Sequence, residues 1–366
     1  MNRSPQDFAG ARPLIDWSKV NRVLLVRLRS IGDTVLMTPC LQALNDWRPD
    51  IEIGLVTEPL AAPVLDGHLT VEHVFVAGPS VPSRLRLVSR LRHQGFDVAF
   101  NLHGGTTALM LTAMSGARHT VGYRGRRGSW LLSDRAPAPN VILGRERVHS
   151  VEQQLALLQW AGVPLTGRLR LSLAVDSTSA ASLRSKLTTT GIPAAALASS
   201  RFAIVAPGAA FDSKRWSSRG FASVIDHLAV RWQLESIVIA GPGQEQVARE
   251  VAETSRSGAR VLSGISIGEL KALVQAFGRV FVGNDSGPMH IAAAFNCPIV
   301  AVFGSSNPDV WHPWTDAAYR VLGGERGVPD SGVRSAIDRI EVEKVIAALD
   351  DVLEPAAAES YFLKRL

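Results

Sequence analysis

The chain has 366 residues, which is longer than one hydrophobic core usually grows, so its length predicts two domains. Its composition, 46% hydrophobic and 20% charged, is typical of a folded globular protein and excludes a disordered or fibrous one. The formal net charge is +6, and the basic excess lies in residues 1–170, which hold 20 Lys and Arg against 13 Asp and Glu. This asymmetry indicates an anionic partner for the N-terminal half, the alternative being an ordinary solvated surface.

The two cysteines, Cys40 and Cys297, lie far apart in apolar surroundings, which predicts reduced thiols rather than a disulfide framework. The first twenty residues carry scattered charges, and no later apolar run approaches the roughly 20 residues of a spanning helix. We therefore expect a cytoplasmic protein. Because the chain has no Asp-x-Asp pair and no His/Cys cluster, we expect neither a dedicated metal site nor a cofactor.

From Val20 onward, short β-branched runs alternate with longer helical patterns, as in parallel sheets built from β-α-β units, and this rhythm restarts after residue 200. The predicted strands are Val23–Leu28, Ile51–Val56, His73–Val76, Val98–Leu102, Thr120–Tyr123, Phe202–Ala206, Ser236–Ala240, Arg260–Leu262, Arg279–Val282 and Ile299–Phe303. Residues 174–200, rich in Ala, Ser and Thr, are the predicted interdomain connection. Residues 342–366 predict a helix to Leu353, a break at Pro355 and a final short helix that packs back on the first domain.

The first motif, Arg29-Ser-Ile-Gly-Asp33, follows the first predicted strand and leads into a helical pattern. Open α/β sheets bind their ligands at the carboxyl ends of parallel strands, which places Asp33 at a candidate site. The structural alternative is that Asp33, lying immediately before a helix, serves as its N-cap. A catalytic base also needs a free carboxylate oxygen within reach of the proton that it removes.

Two further motifs lie in the second half of the chain. After a predicted strand, Pro207-Gly208 turns the chain and Lys214 follows, so that backbone N–H groups and an ammonium can cradle phosphate oxygens. Alternatively, Lys214 is an ordinary solvated loop lysine. The segment Ile239-Ala-Gly-Pro-Gly-Gln-Glu245 lacks the third glycine of the dinucleotide fingerprint. Its Glu245 either favours a helix N-terminus or binds the ribose hydroxyls of a nucleotide.

The fourth motif, from Val280 to His290, joins a strand to a helix. Asp285 or Ser286 can cap that helix, and Gly287 removes the side chain that would keep a ligand from the backbone. The unpaired N–H groups and positive dipole end of such a helix predict a diphosphate site, with His290 adding a hydrogen bond. The alternative is a well-capped packing helix with a satisfied core histidine.

Taken together, the four motifs resemble those of glycosyltransferase family 9, the ADP-heptose:lipopolysaccharide heptosyltransferases. The resemblance runs from about Arg22 to Trp314, and its most specific segments are Gly283–His290 with Val302-Phe-Gly304, Ser30-Ile-Gly-Asp33, Pro207-Gly208 and Lys214-Arg215-Trp216. It implies an α/β protein of the GT-B fold, two Rossmann-like domains facing each other across a cleft. Residues 1–175 would bind the acceptor, and residues 176–366 would bind the nucleotide sugar.

The resemblance implies an inverting transfer of a heptose, or a related sugar, from an ADP-sugar to the lipopolysaccharide inner core or another glycolipid or glycan, without a metal. It gives Asp33 the role of catalytic base. It implies donor binding by Gly208, Ala209, Lys214, Glu245, Asp285, Ser286, Gly287 and His290. The chain departs from the family at Ala209 and Ala210, where many members carry hydroxyl residues, so phosphate contacts there must come from backbone N–H groups.

An anionic glycolipid would meet the basic half of the chain, and a peripheral contact with the inner face of the cytoplasmic membrane is expected. The arginines available for this are Arg84, Arg86, Arg90, Arg92, Arg118, Arg124, Arg126 and Arg127. One alternative is a nucleotide-sugar 2-epimerase on the same two-domain plan, which needs no acceptor. Nucleic-acid binding is the other, and it is disfavoured because the chain lacks interleaved aromatics and any recognised nucleic-acid motif.

Overall fold

A computed structural model describes residues 15–192, 194, 197, 201–324 and 334–354. The chain divides into two compact units, Met1–Ala174 and Val175–Leu366. Each unit contains its own six-stranded parallel sheet with helices packed against it.

The strands of the first unit are β1 (Arg22–Val26), β2 (Glu52–Thr57), β3 (His73–Val76), β4 (Val98–Asn101), β5 (His119–Tyr123) and β6 (Asp134–Ala136). Its helices are α1 (Ile31–Val35), α2 (Thr38–Trp47), α3 (Val81–Gln94), α4 (Thr106–Met114), α5 (Pro139–Leu143) and α6 (Ser150–Trp160). The sheet order is β3-β2-β1-β4-β5-β6, and every neighbouring pair is parallel. The chain order reverses between β1 and β4, which makes this pair the topological switch point of the sheet.

The strands of the second unit are β7 (Phe202–Ala206), β8 (Ser236–Ala240), β9 (Arg260–Ser263), β10 (Gly278–Asn284), β11 (Ile299–Phe303) and β12 (Tyr319–Gly323). Its helices are α7 (Ser177–Thr189), α8 (Ser218–Trp232), α9 (Glu245–Thr254), α10 (Ile267–Phe277), α11 (Gly287–Ala294), α12 (Pro308–Trp311) and α13 (Val342–Leu353). The sheet order, β12-β11-β10-β7-β8-β9, repeats the topology of the first unit, with the switch point between β7 and β10.

The central strands of both sheets are continuous apolar runs because helices cover both of their faces. In β1 the four residues Val23–Val26 are completely buried, and β7 is buried along its whole length. The ten predicted strands are all confirmed, with boundaries within two residues. Two-sided burial explains the apolar signal of the eight inner strands among them, whereas β3 and β9 are edge strands. The sequence did not predict β6 or β12, because these edge strands are short or only half-buried and therefore lack a continuous apolar run.

The predicted connection between the domains is only partly a linker. Within it, α7 is capped by Asp176, whose carboxylate accepts a hydrogen bond of 2.8 Å from the Ser179 N–H. The helix packs against α10, and Lys186 on α7 forms a 2.7 Å ion pair with Glu269 on α10. This segment is therefore an integral part of the second unit.

At the other end of the second unit, α13 packs against α8, β11 and β12. Its buried face includes Val345, Leu349 and Val352. The final short helix that the sequence predicts after Pro355 lies outside the described residues. None of the helices in the described part of the chain is long and apolar enough to cross a bilayer.

Both cysteines are free and buried, which confirms the prediction of unpaired thiols. Burial raises the pKa of the Cys297 thiol to about 12, and burial also raises the pKa of Cys40 well above its ordinary value. Both residues therefore act as small apolar side chains and not as nucleophiles.

Candidate active site

Asp33 lies at the carboxyl edge of the first sheet, on α1, which begins just after β1. Ser30 is the N-cap of this helix, and Asp33 is its third residue. The Asp33 Oδ2 accepts hydrogen bonds from the Ser30 N–H at 2.7 Å and from the Ser30 hydroxyl at 3.1 Å. The prediction that Asp33 could be the N-cap of this helix is therefore wrong. Asp33 is instead the third helical residue, and its carboxylate bonds back to the N-cap residue Ser30 as in a capping box.

Arg27, the residue after β1, forms an ion pair through its Nη2 with the Asp33 Oδ1. Its Nη1 donates to the carbonyl oxygen of Leu102, just after β4, so one guanidinium joins the two loops of the switch point. The Arg27 side chain is 9% exposed and that of Asp33 is 19% exposed, so the acid is the accessible member of the pair. The Asp33 Oδ2 accepts two hydrogen bonds and the Oδ1 accepts one, so the Oδ1 retains a lone pair for a further hydrogen bond.

His103 lies beside this pair, in the loop after β4, and its Nδ1 is buried without a hydrogen-bond partner in the described structure. Burial, followed in importance by the charge of Arg27, lowers the pKa of His103, which keeps the imidazole neutral at pH 7. A Cβ atom on Gly105 would lie 2.9 Å from the His103 Cδ2, so a larger residue there would displace the imidazole. Sequence reasoning missed Arg27 and His103. The available signal for Arg27 was a charged residue directly after an apolar strand.

In the second unit, Lys214 and Asp285 meet at the switch point between β7 and β10. The Lys214 Nζ lies 2.8 Å from the Asp285 Oδ2, which also accepts a 2.5 Å hydrogen bond from the Ser306 hydroxyl. The Asp285 side chain is 7% exposed, whereas that of Lys214 is 25% exposed. Lys214 is therefore held in place by a buried carboxylate and is not a freely solvated loop lysine.

Asn284, the last residue of β10, ties the loop after β7 to this pair. Its Oδ1 accepts a hydrogen bond of 3.0 Å from the Trp216 N–H, and its Nδ2 donates to the Pro207 carbonyl oxygen at 2.7 Å. The Asn284 side chain is completely buried. Because these bonds hold the loop on both sides of Lys214, Asn284 is a structural determinant of the site that sequence reasoning missed.

The start of α11 is the part of the site for which the sequence predicted the most residues. Ser286 occupies the N-cap position, but its side chain makes no capping hydrogen bond, and its Oγ is buried without a partner. Gly287 is the first helical residue, as expected for a close approach to the backbone. His290 is buried, which is what the core-histidine alternative predicts.

The remaining predicted donor-binding residues lie in the loop after β7, which holds Gly208 and Ala209, and at the start of α9, which holds Glu245. The Gln244 Nε2 donates to the Ala209 carbonyl oxygen at 2.9 Å, and a Cβ atom on Gly208 would lie 1.9 Å from the Gln244 Oε1. Glu245 is the first residue of α9, and its carboxylate accepts a 3.2 Å hydrogen bond from the Gly243 N–H. This bond fits the helix-terminus role, and the partly exposed carboxylate is also open to a ligand.

The sequence profile of glycosyltransferase family 9 (heptosyltransferase) matches residues 84–339. The chain belongs to this family. This family 9 protein is therefore a glycosyltransferase, which decides against the epimerase alternative.

Known relatives cover nearly the whole family 9 chain. Lipopolysaccharide heptosyltransferase 3 of Escherichia coli K12 is 27% identical over 352 residues, which is 89% of this chain and 96% of the relative. The solved structure of a family 9 glycosyltransferase from Veillonella parvula has a TM-score of 0.78 and 21% identity, covering 91% of this chain and 97% of its own. The ADP-heptose lipopolysaccharide heptosyltransferase II of E. coli has a TM-score of 0.73 and 23% identity, with 91% and 98% covered. These likenesses confirm the GT-B fold with two Rossmann-like domains.

Proposed function

We propose that the protein moves a heptose, or a related sugar, from an ADP-sugar donor onto an anionic glycolipid or glycan acceptor such as the lipopolysaccharide inner core. The observation that carries this proposal is the ion pair at the second switch point, where Asp285 presents the Lys214 ammonium at the carboxyl edge of the sheet. Relatives whose names state a heptosyltransferase activity on lipopolysaccharide support the choice of donor and acceptor.

The donor diphosphate binds, in this proposal, where the loops after β7 and β10 meet. One of the three Lys214 N–H donors is taken by Asp285, which leaves two for phosphate oxygens. As the bond to the sugar breaks, negative charge builds on the departing ADP, and fixed donors stabilise it. Further contacts to the donor come from Gly208, Ala209, Glu245, Ser286, Gly287 and His290.

Asp33 is the proposed catalytic base. Arg27 and Ser30 fix the orientation of its carboxylate, and one remaining lone pair accepts the proton of the acceptor hydroxyl. The acceptor oxygen forms its bond to the anomeric carbon as the bond to the ADP oxygen breaks, which inverts the anomeric configuration. In this scheme Lys214 and backbone N–H groups donate hydrogen bonds to the leaving-group oxygens, and we assign no step to a metal ion.

The acceptor is proposed to bind the first unit, which carries the basic excess of the chain. A lipid-linked acceptor would place the enzyme at the cytoplasmic face of the inner membrane, as a peripheral protein. We therefore expect reversible membrane contact through this unit.

The test is to incubate the purified protein with a panel of nucleotide sugars that includes ADP-heptose, together with a Kdo-lipid acceptor. We expect transfer from ADP-heptose, an inverted anomeric centre in the product by NMR, and an unchanged rate after chelation with EDTA. A family 9 enzyme that ignores ADP-heptose but uses another nucleotide sugar would contradict the donor assignment. A rate that depends on added divalent ions would contradict the metal-free scheme.

A further inference from the structure

The first unit carries an acid-poor, arginine-rich stretch that the transfer chemistry does not use. Residues 73–133 contain eight arginines and a single acidic residue, Asp97. The Asp97 carboxylate is already occupied, since its Oδ2 accepts hydrogen bonds from the N–H groups of Asn21 and Arg22. The positive charge of this stretch is therefore not balanced from within the stretch.

Three of these arginines lie together in the turn after β5, at the carboxyl edge of the sheet. Arg124, Arg126 and Arg127 are all exposed, and the positive-φ residues Gly125 and Gly128 set the shape of the turn. The Arg126 guanidinium lies beside the Gly104 backbone, since a Cβ atom placed on Gly104 would be 3.7 Å from the Arg126 Nε. The turn thus borders the loop that follows β4, which also holds His103.

Large apolar side chains adjoin the same turn. Trp130 is 72% exposed and Leu131 is 38% exposed, both in a short 3-10 turn that packs against α4. On α4 itself, Met110 is 42% exposed. Isolated exposed apolar residues are common in soluble proteins, but an exposed tryptophan next to three exposed arginines is a specific combination. We call Arg124–Leu131 the Arg-Trp surface.

We propose that the Arg-Trp surface docks on an anionic lipid bilayer. Arginines close to a membrane are attracted by anionic headgroups, and tryptophan side chains partition to the headgroup level, where an apolar ring and a polar N–H are both satisfied. Leu131 beside them adds apolar area that enters the boundary of the acyl chains. Docking would hold the Asp33 edge of the sheet near a lipid-linked acceptor, and this purpose of the docking rests on the proposed function.

The experiment is co-sedimentation of the full chain with vesicles made of equal parts phosphatidylcholine and phosphatidylglycerol, compared with phosphatidylcholine alone. No donor or acceptor is present, so docking is measured even if the proposed transfer fails. We expect binding to the anionic vesicles only, weakening as salt is added. Replacing Arg124, Arg126 and Arg127 together by Gln should lower the partition coefficient about 100-fold at low salt.

The double variant Trp130→Ser, Leu131→Ser tests the apolar part of the surface and should lower binding several-fold. Matched controls come from exposed residues of the second unit: the triple variant Arg219→Gln, Arg249→Gln, Arg256→Gln removes the same net charge, and Val230→Ser removes an exposed apolar side chain. Both controls should bind like the wild type. Because all these side chains are exposed, thermal melting should be unchanged, which separates lost docking from lost folding.

Three results would overturn the proposal. Equal binding to neutral and anionic vesicles, or none to either, removes the electrostatic basis. An equal loss in the charge-matched control means that net charge alone drives adsorption. Binding of the Arg-Trp surface to a DNA or RNA oligonucleotide in preference to the anionic vesicles, abolished by the same arginine changes, assigns the surface to nucleic acid instead.

Discussion

The two units share one strand order but present opposite charges at their switch points. In the first unit the buried member of the ion pair is the cation, Arg27, and the more exposed member is the acid, Asp33. In the second unit the buried member is the acid, Asp285, and the more exposed member is the cation, Lys214. In each pair the buried partner orients the exposed one.

This reversal matches the two halves of the proposed reaction. A proton is taken up by an accessible carboxylate, and a diphosphate is bound by an accessible ammonium. In this proposal the same topology serves two tasks, because the identity of the exposed group differs between the units while the arrangement of the strands is the same. Four substitutions at or beside the two ion pairs test these roles, and they are given from the largest expected effect to the smallest.

The largest effect is expected from Asp33→Asn, which keeps the shape of the side chain but removes the proton acceptor. The turnover number should fall by about 10²- to 10⁴-fold, the range for loss of a general base. Binding of ADP, measured as its increase of the melting temperature, should stay unchanged because the donor contacts lie in the second unit. Transfer at the wild-type rate would remove Asp33 from the mechanism.

The next effect is expected from Lys214→Met, which removes the exposed cation of the second pair. We expect kcat/KM to fall by about 100-fold, since a donor aimed at the leaving-group charge is lost, and ADP should stabilise the variant less than the wild type. The matched control is Arg215→Met, because Arg215 is the neighbouring cation and pairs with Asp212 at 3.1 Å instead. Equal losses in both variants would mean that the loop needs positive charge in general and not at Lys214.

A smaller effect, on stability, is expected from Asn284→Ala. The change leaves the Trp216 N–H and the Pro207 carbonyl without their buried partner, which costs about 2–4 kcal/mol of unfolding free energy. Urea unfolding measures this loss, and weaker stabilisation by ADP should accompany it because the loop carrying Lys214 is released. A variant as stable as the wild type would show that Asn284 does not hold the loop.

The smallest effect is expected at His103, next to the pair in the first unit. Its pKa is lowered by burial in the folded state, so the unfolded chain binds more protons just below pH 6.5, and stability falls as the pH drops through that range. In His103→Gln this component is absent, and the melting temperature should decline less between about pH 7 and pH 5. Parallel curves for the two proteins would show that the imidazole is not buried in the folded protein.

The sequence by itself determined ten of the twelve strands described, namely the eight inner strands and the edge strands β3 and β9, and it placed Asp33, Lys214 and Asp285 in segments that follow strands. These features depend on local patterns: apolar runs a few residues long, glycine and proline turns, and the first turns of helices. Such patterns predict a strand or a turn without any knowledge of which strands are neighbours in the sheet. The edge strands β6 and β12 were not predicted because β6 has three residues, of which only Ala136 is buried, and Arg320 interrupts the apolar residues of β12.

Only the tertiary structure decided which groups meet. Arg27 reaches Leu102 across 75 positions and Lys214 reaches Asp285 across 71, because β1 lies beside β4 and β7 lies beside β10. The adjacency of β7 and β10 also lets Asn284 hold the loop after β7, and the adjacency of β10 and β11 gives Asp285 its second partner, Ser306. The order of strands follows from packing each unit around its own core, and a local sequence pattern does not contain it.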